Sequence, residues 1–410
     1  MNFEYFVVKR LVSAKKYKSS ISAPIIKIAI TAIAIGVVMM LVSFATGLGL
    51  QQKIRDKIAA FNGHINISSY DNNSSKVSLI PVTTNQDFYP EFTSVEGIDH
   101  IQAVATKFAV IRTEADFEGV IVKGVGKEYK WDYFKEFLVK GELPDFQSNL
   151  NDQILISDYL ANRLKLNVGD KVPTFFLREN SERPLQRGFV ITGIYDSGFQ
   201  EFDELYLIAD IRHIQRINDW KEDEVGNFEV FVNDFDKLEE KGNQVYENTG
   251  SFLDTQTISQ KYYSIFEWLS LFDFNIALIL GIMILVAGIN MITALLVLIL
   301  ERTQMIGIMK ALGAGDWSIR KIFLYNAGYL IILGLFWGNL IGIGLLAMQK
   351  YFKLVPLDPR TYYVTEVPIY LNWDYLLAVN LGTLLLCMLM LLIPSLIISR
   401  ISPVKAIKFE

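Results

Sequence analysis

The stretch FNIALILGIMILVAGINMITALLVLIL, Phe274 to Leu300, contains no charged residue, and about 20 apolar residues are enough for a helix to cross the hydrocarbon core of a bilayer. Three further uncharged runs have the same character: Ile28 to Leu50, Ile322 to Gln349 and Tyr375 to Ser399. Four membrane-spanning helices follow from these runs. Between the first and the second lies one long polar stretch, residues 51–272, so the fold class is an α+β membrane protein with a large domain inserted after its first span. Composition agrees, since 51% of the 410 residues are hydrophobic and mean hydropathy is +0.28 despite that polar insert.

Basic residues near the spans set the orientation, because Lys and Arg are retained on the cytoplasmic side. Residues 1–27 carry Lys9, Arg10, Lys15, Lys16, Lys18 and Lys27 against a single acid, Glu4. The 301–321 connector and the tail from Arg400 are also net basic, so all three are expected inside. Residues 51–272 hold 23 basic and 36 acidic side chains, a net charge of −13, and are expected outside with the 350–374 loop. The whole-chain charge of −5 conceals this split and offers no basic face for nucleic acid.

The first apolar run is too long, and preceded by too much chain, for a cleaved secretory signal; it reads as an uncleaved anchor. Ahead of it Phe3, Phe6, Val7, Leu11 and Ala14 fall at helical spacing. That spacing predicts an amphipathic helix on the inner membrane surface.

Catalytic and metal chemistry find little support. The one cysteine, Cys387, falls in the fourth run, and His64, His100 and His213 lie too far apart in sequence to suggest a metal site. The glycine-rich stretch GVIVKGVGKEY from Gly119 lacks the spacing and the hydroxyl of a phosphate-binding loop. Nucleophile-elbow and zinc-protease motifs are missing. No catalytic or metal-ligating residues are assigned, and the acidic runs Glu222 to Glu224 and Glu201 to Glu204 read as solvated faces.

Within the insert, His64–Tyr70, Thr106–Arg112, Gly119–Gly124, Lys171–Leu177 and Phe189–Tyr195 alternate as strands do. Ser157 to Leu166 predicts a helix capped by Ser157. Thr257 to Phe272, with Tyr262, Tyr263, Phe266 and Trp268, predicts a helical stalk continuous with the second span. In the third run Gly334, Gly338 and Gly342 repeat every four residues, a face for close helix packing. Asn290, Thr293, Asn339 and Asn380 are polar at membrane depth but not ionisable, which disfavours coupling to an ion gradient.

The connector ERTQMIGIMKALGAGDWSIRKIF, Glu301 to Phe323, combines charged ends, an apolar centre and Gly307, Gly313 and Gly315 at expected tight turns. Its ER-x3-IG-x2-KA-x-GA pattern resembles the signature of the FtsX-like permease domain of MacB-type ABC transporters. ILISDYLANRLKLNVGDKV from Ile154 is similar to the MacB-like periplasmic core domain. FVITGIYDSGFQEFDELYLI from Phe189, LDPRTYYVTEVPIYLNW from Leu357 and the closing ISPVKAIKFE resemble the lipoprotein-releasing permeases LolC and LolE more particularly.

This resemblance implies an FtsX-like permease domain over 274–410 and a non-catalytic subunit of the inner membrane. No cofactor is expected on this chain; ATP and magnesium would sit on a cytosolic ABC ATPase. Glu301, Arg302, Ile306, Gly307, Lys310, Ala311, Gly313 and Ala314 would couple to that ATPase. The segment RENSERPLQRG, with Arg178, Arg183, Pro184 and Arg187, matches the family's carrier-binding loop, although an ordinary polar hairpin end reads equally well. Met39, Met40, Phe44, Leu48, Phe272, Phe274 and Leu278 would line a lipid or substrate path shared with a second permease copy or paralogue. Its partners would then be an acylated lipoprotein, a soluble periplasmic carrier and membrane lipid. A MacB-like efflux or peptide-resistance permease, an FtsX-like transmitter acting on a cell-wall hydrolase, and a passive receptor or scaffold are the other readings.

Overall fold

A computed structural model describes residues 3–13, 22–73, 75–114, 116–147, 150–178 and 181–402. The chain divides into two compact units. One comprises residues 1–51, 269–356 and 367–410; the other comprises residues 52–268 together with 357–366. Among the described residues four helices are long and apolar enough to cross a membrane. They are Ser22–Asn62, Tyr263–Glu301, Asp316–Phe352 and Trp373–Ser395, the last followed by a short turn of helix, Ile397–Arg400.

These helices outrun the uncharged runs that announce them. The first continues 12 residues beyond Leu50, because a helix needs no apolar sequence once it leaves the hydrocarbon. The pattern expected to be one stalk from Thr257 divides at Tyr262. Ile258–Lys261 is a separate turn held by a reciprocal cap between Thr257 and Gln260, and the long helix starts at Tyr263.

Small residues set the packing of the first unit. A Cβ built on Gly334 would stand 2.6 Å from Ile33 Cγ2, one on Gly338 2.7 Å from Val37 Cβ, and one on Gly342 3.1 Å from Leu41 Cδ1. The partner residues also advance by four, so the first and third spans run parallel with backbones in close approach. Asn339 and Asn380 exchange amide hydrogen bonds of 2.6 and 3.0 Å between the third and fourth spans. Asn290 and Thr293 instead donate to the carbonyls of Val286 and Ile289 within their own helix.

The second unit is built on a mixed sheet. Its strands are β1 (Ile65–Ser69), β2 (Val82–Thr83), β3 (Ile98–Arg112), β4 (Phe117–Val125), β5 (Leu138–Gly141), β6 (Gln153–Ser157), β7 (Lys171–Arg178), β8 (Ser181–Tyr195), β9 (Tyr206–Asp210), β10 (Glu224–Val225), β11 (Asn227–Val232) and β12 (Leu253–Thr257). The main order is β12-β1-β11-β3-β4-β9-β6-β8-β5, with β7 joining β3 to β8 and β2 paired separately with β10. Helix Asp158–Leu164 starts where expected, Ser157 Oγ accepting from the Leu160 amide at 3.1 Å. The glycine-rich stretch from Gly119 is not a loop; it forms most of β4.

The 350–374 segment, read as a simple loop, contributes residues 357–366 to this second unit. There Tyr363 stacks on Phe199 with centroids 4.7 Å apart, lies edge-on to Trp268 at 6.0 Å, and gives its carbonyl to Lys57 Nζ at 3.1 Å.

Candidate functional site

The connector between the second and third spans is where the signature residues gather. Helix Thr303–Ala311 begins almost directly after Glu301 and ends at Leu312. Gly313 then turns the chain at φ +96°, a conformation L side chains rarely adopt, and Gly315 caps the third span. Gly307 makes no turn, contrary to the expectation from sequence. It lies inside the helix and is buried, giving the helix a side without bulk.

The helix has two faces. Ile306 is fully buried in the core of the span bundle. Lys310 also points inward, its side chain only 10% exposed. Its Nζ donates to the carbonyl oxygens of Ile398 at 2.7 Å, Ile401 at 3.0 Å and Ser399 at 3.4 Å, and pairs with Asp316 at 2.9 Å. A cation at the carbonyl end of Ile397–Arg400 supplies a donor to Ser399 and Ile401, adds a second one to Ile398, whose carbonyl already accepts from the Ile401 amide at 3.3 Å, and meets the negative end of the helix dipole. Glu301, Ala311 and Gly313 are exposed, while Arg302 and Ala314 are half-buried. Ile308 on this helix, Leu312 at its end and Trp317 in the first turn of the third span are 47, 83 and 55% exposed. Exposed apolar side chains of this kind suit contact with a protein or with the membrane surface. The sequence signature does not include these three residues, although Ile308 belongs to the apolar centre noted there.

A second brace meets the start of the third span. In helix Phe3–Ser13, Glu4 accepts a hydrogen bond from Ser318 Oγ at 2.7 Å and lies 3.9 Å from Lys321 Nζ. Val8 is the buried position and Phe6 is 38% exposed. The side chains of Phe3 and Leu11, together with Ala14, Lys15, Lys16 and Lys18, lie outside the described residues, as do residues 403–410.

In the inserted domain the segment read either as a carrier-binding loop or as a polar hairpin end is a β-hairpin arm. β8 begins at Ser181, and Arg178 is in register with it, leaving two connecting residues, which lie outside the described set. Arg183 and Pro184 are thus exposed strand residues, Arg187 is a half-buried one, and the side chain of Arg178 is not described. Strand pairing persists because Phe176 aligns with Leu185 and Phe175 with Gln186, while the irregularity between Phe176 and Arg178 falls near the proline. The same region presents Phe108, Phe117 and Leu177 at 44, 67 and 60% exposure, from β3, β4 and β7.

A buried polar group lies at the heart of the sheet. Lys123 Nζ donates to Glu229 Oε1 at 2.7 Å and to the Phe61 carbonyl at 2.8 Å, and Gln102 Nε2 donates to Glu229 Oε2 at 2.9 Å. Burial pulls the lysine pKa below its ordinary value, and Glu229 opposes the shift. All its strong partners are satisfied, so the group reads as a structural lock.

The residues expected to line a lipid path do not share one face. Met40 is fully buried in the span bundle, its sulfur 4.0 Å from Thr383 Oγ1, because adjacent helical positions point about 100° apart. It is therefore removed from that set. Met39, Phe274 and Leu278 are exposed, Leu48 and Phe272 are half-buried, and Phe44 packs on Tyr375 at 5.1 Å.

Residues 28–245, more than half of the chain, match the family described as MacB-like periplasmic core domain, and residues 277–403 match FtsX-like permease C-terminal. The chain is 20% identical over 400 residues to the lipoprotein-releasing system transmembrane protein LolC of Xylella fastidiosa, covering 93% of each. It is 25% identical over 286 residues to LolC of Haemophilus influenzae, covering 68% of this chain and 67% of that one. It is 21% identical over 421 residues to LolE of the same organism, covering 99% of each. The chain belongs to the MacB-like, FtsX-type ABC transporter permeases and is of the LolC/LolE type.

Proposed function

We propose that this permease releases acylated lipoproteins from the inner membrane to a soluble periplasmic carrier, using ATP hydrolysed by a separate subunit. The observation that carries this reading is the extent of the similarity to LolC and LolE: it spans the inserted domain as well as the permease helices, whereas the connector signature is common to efflux and signalling relatives. The charge pattern supports placing both termini and the connector in the cytoplasm and the inserted domain in the periplasm.

In this reading Ile308, Leu312 and Trp317 meet the ATPase, while Ile306, Gly307 and Lys310 hold the connector that presents them. Nucleotide and magnesium stay on the partner. The arm bearing Arg183, Pro184 and Arg187, beside exposed Phe108, Phe117 and Leu177, meets the carrier: aromatic surface supplies burial and the arginines supply orientation. Met39, Phe274 and Leu278 contact the acyl chains, and a second permease copy or paralogue closes the path.

Photocrosslinking in cells tests the reading, with probes at Met39, Pro184 and Leu312. Lipoprotein at Met39, a small soluble carrier at Pro184 and an ATPase at Leu312 are expected. A cell-wall hydrolase at Pro184 with no lipoprotein at Met39 would replace release by signal transmission. Loss of drug or peptide resistance on deletion, with lipoproteins correctly localised, would replace it by efflux.

A further inference from the structure

The close packing of the first and third spans leaves a groove of about 510 Å³ along one side of the pair. Lys27 stands at one end and Met39 at the other, with Ile35 and Val38 between them and Trp337 and Ile341 on the facing wall. Gly334 and Gly338 bring the two backbones together at this level. Ile35, Met39, Trp337 and Ile341 remain 58, 44, 49 and 50% exposed at its rim.

Length and charge identify what fits. Lys27 and Met39 are 12 residues apart on one helix, which is about 18 Å at 1.5 Å per residue. One leaflet contributes about 15 Å of hydrocarbon. The groove therefore has the depth of a single acyl chain. Lys27 is its one charged lining residue, and the next charge along the helix is Lys53, which places Lys27 at the level of the headgroups. Among the described residues no carboxylate lies within ion-pair distance of it.

We propose that this groove binds an anionic phospholipid, with one acyl chain along Ile35 and Val38 and the phosphate at Lys27. The site occupies the leaflet at the N-terminal end of the first span and is independent of which cargo the permease handles.

Trp337 provides the probe. The full chain is reconstituted in nanodiscs containing either brominated phosphatidylglycerol or brominated phosphatidylcholine, and the quenching assigned to Trp337 is the difference between wild type and Trp337→Phe. Phosphatidylglycerol should be preferred by about fivefold, the worth of one lysine facing an anionic headgroup. The preference should fall close to unity in Lys27→Gln and shrink in high salt. Filling the groove with Ile35→Phe should weaken quenching of Trp337 by both lipids. Equal quenching by the two lipids in the wild type would overturn the proposal without relying on any Lys27 variant. Two other results would also overturn it: a preference unchanged in Lys27→Gln, or no quenching by either lipid, which would show the groove covered by protein.

Discussion

Replacing Lys310 by methionine keeps the length and apolar stem of the side chain and removes only the ammonium. Three carbonyl oxygens at the end of Ile397–Arg400 lose the lysine as a donor, and only Ile398 keeps a backbone one, from the Ile401 amide. The surface pair with Asp316, whose side chain is 46% exposed, is lost as well. Each hydrogen bond to a charged group contributes about 1.5–3 kcal/mol, and a cation at a partly buried helix C-terminus up to about 2 kcal/mol. These overlap, since one group supplies both, and the longest of the three contacts counts little. About 2–4 kcal/mol is therefore expected for opening the end of the fourth span. A tenfold change per 1.4 kcal/mol makes that about 30-fold to several hundred-fold faster amide exchange at Ser399 and Ile401, read by hydrogen-exchange mass spectrometry on the full chain. Asp316→Asn should cost under about 1 kcal/mol, because an exposed ion pair is worth little. Equal acceleration in the two variants would show that the lysine acts through the aspartate, and the helix-end account would be wrong.

Three other variants separate close packing, buried charge and pH. Gly338→Ala places a Cβ 2.7 Å from Val37 Cβ and 2.9 Å from the Ala34 carbonyl, so a loss of about 1–3 kcal/mol is expected in thermal unfolding, while Gly344→Ala meets nothing within 4 Å and should be neutral. Lys123→Met leaves Glu229 buried without its cation and should cost about 3–5 kcal/mol; adding Glu229→Leu should recover most of it in denaturant titration, and a double variant as unstable as the single one would refute the lock. Asp203 is pushed by burial up to about 7, against hydrogen bonds from Ser197 that act to lower it. A carboxyl raised in the folded state binds more protons there than when unfolded, so its contribution to stability falls as pH rises from about 4 to 7. His64, which burial drives down to about 4, acts in the opposite sense below its ordinary value of 6.5, so the informative curve is wild type minus Asp203→Asn. That difference should decline across the window, and a flat one would count against the burial of Asp203.

The spans were legible because an uncharged run of that length has one stable outcome in lipid. Their packing was legible too, since only a four-residue glycine repeat lets two helices approach as the first and third do. What alternation could not give was strand extent. β3 is 15 residues long, and Ile101 to Ala105 within it are buried on both faces, which removes the period-two signal there. The arm around Pro184 stayed open between a protruding loop and a hairpin end because charge and proline suit a loop and a hairpin edge alike. Met40 was misplaced beside Met39 because composition does not carry azimuth. The partition of residues 357–366 into the inserted domain depends on Tyr363 meeting Phe199 and Trp268, contacts between residues far apart in sequence that no local pattern announces.

The connector shows why a signature and a contact surface need not coincide. Ile306, Gly307 and Lys310 are fixed by what lies beneath them: a bundle core, a side without bulk, and a helix end with open carbonyls. The surface above asks only for apolar bulk, which Ile308, Leu312 and Trp317 supply, and many side chains could meet that demand. A partner pressing on Leu312 would meet a helix joined by Lys310 to the end of the fourth span and by Asp316 to the third. Through Ser318 the third span is in turn joined to Glu4 of the N-terminal helix. The load is then shared among these elements instead of bending one turn. Removing the Lys310 ammonium should therefore leave partner binding through Leu312 and Trp317 intact while reducing the work delivered per ATP, and a variant that loses binding and turnover together would place Lys310 in the contact itself.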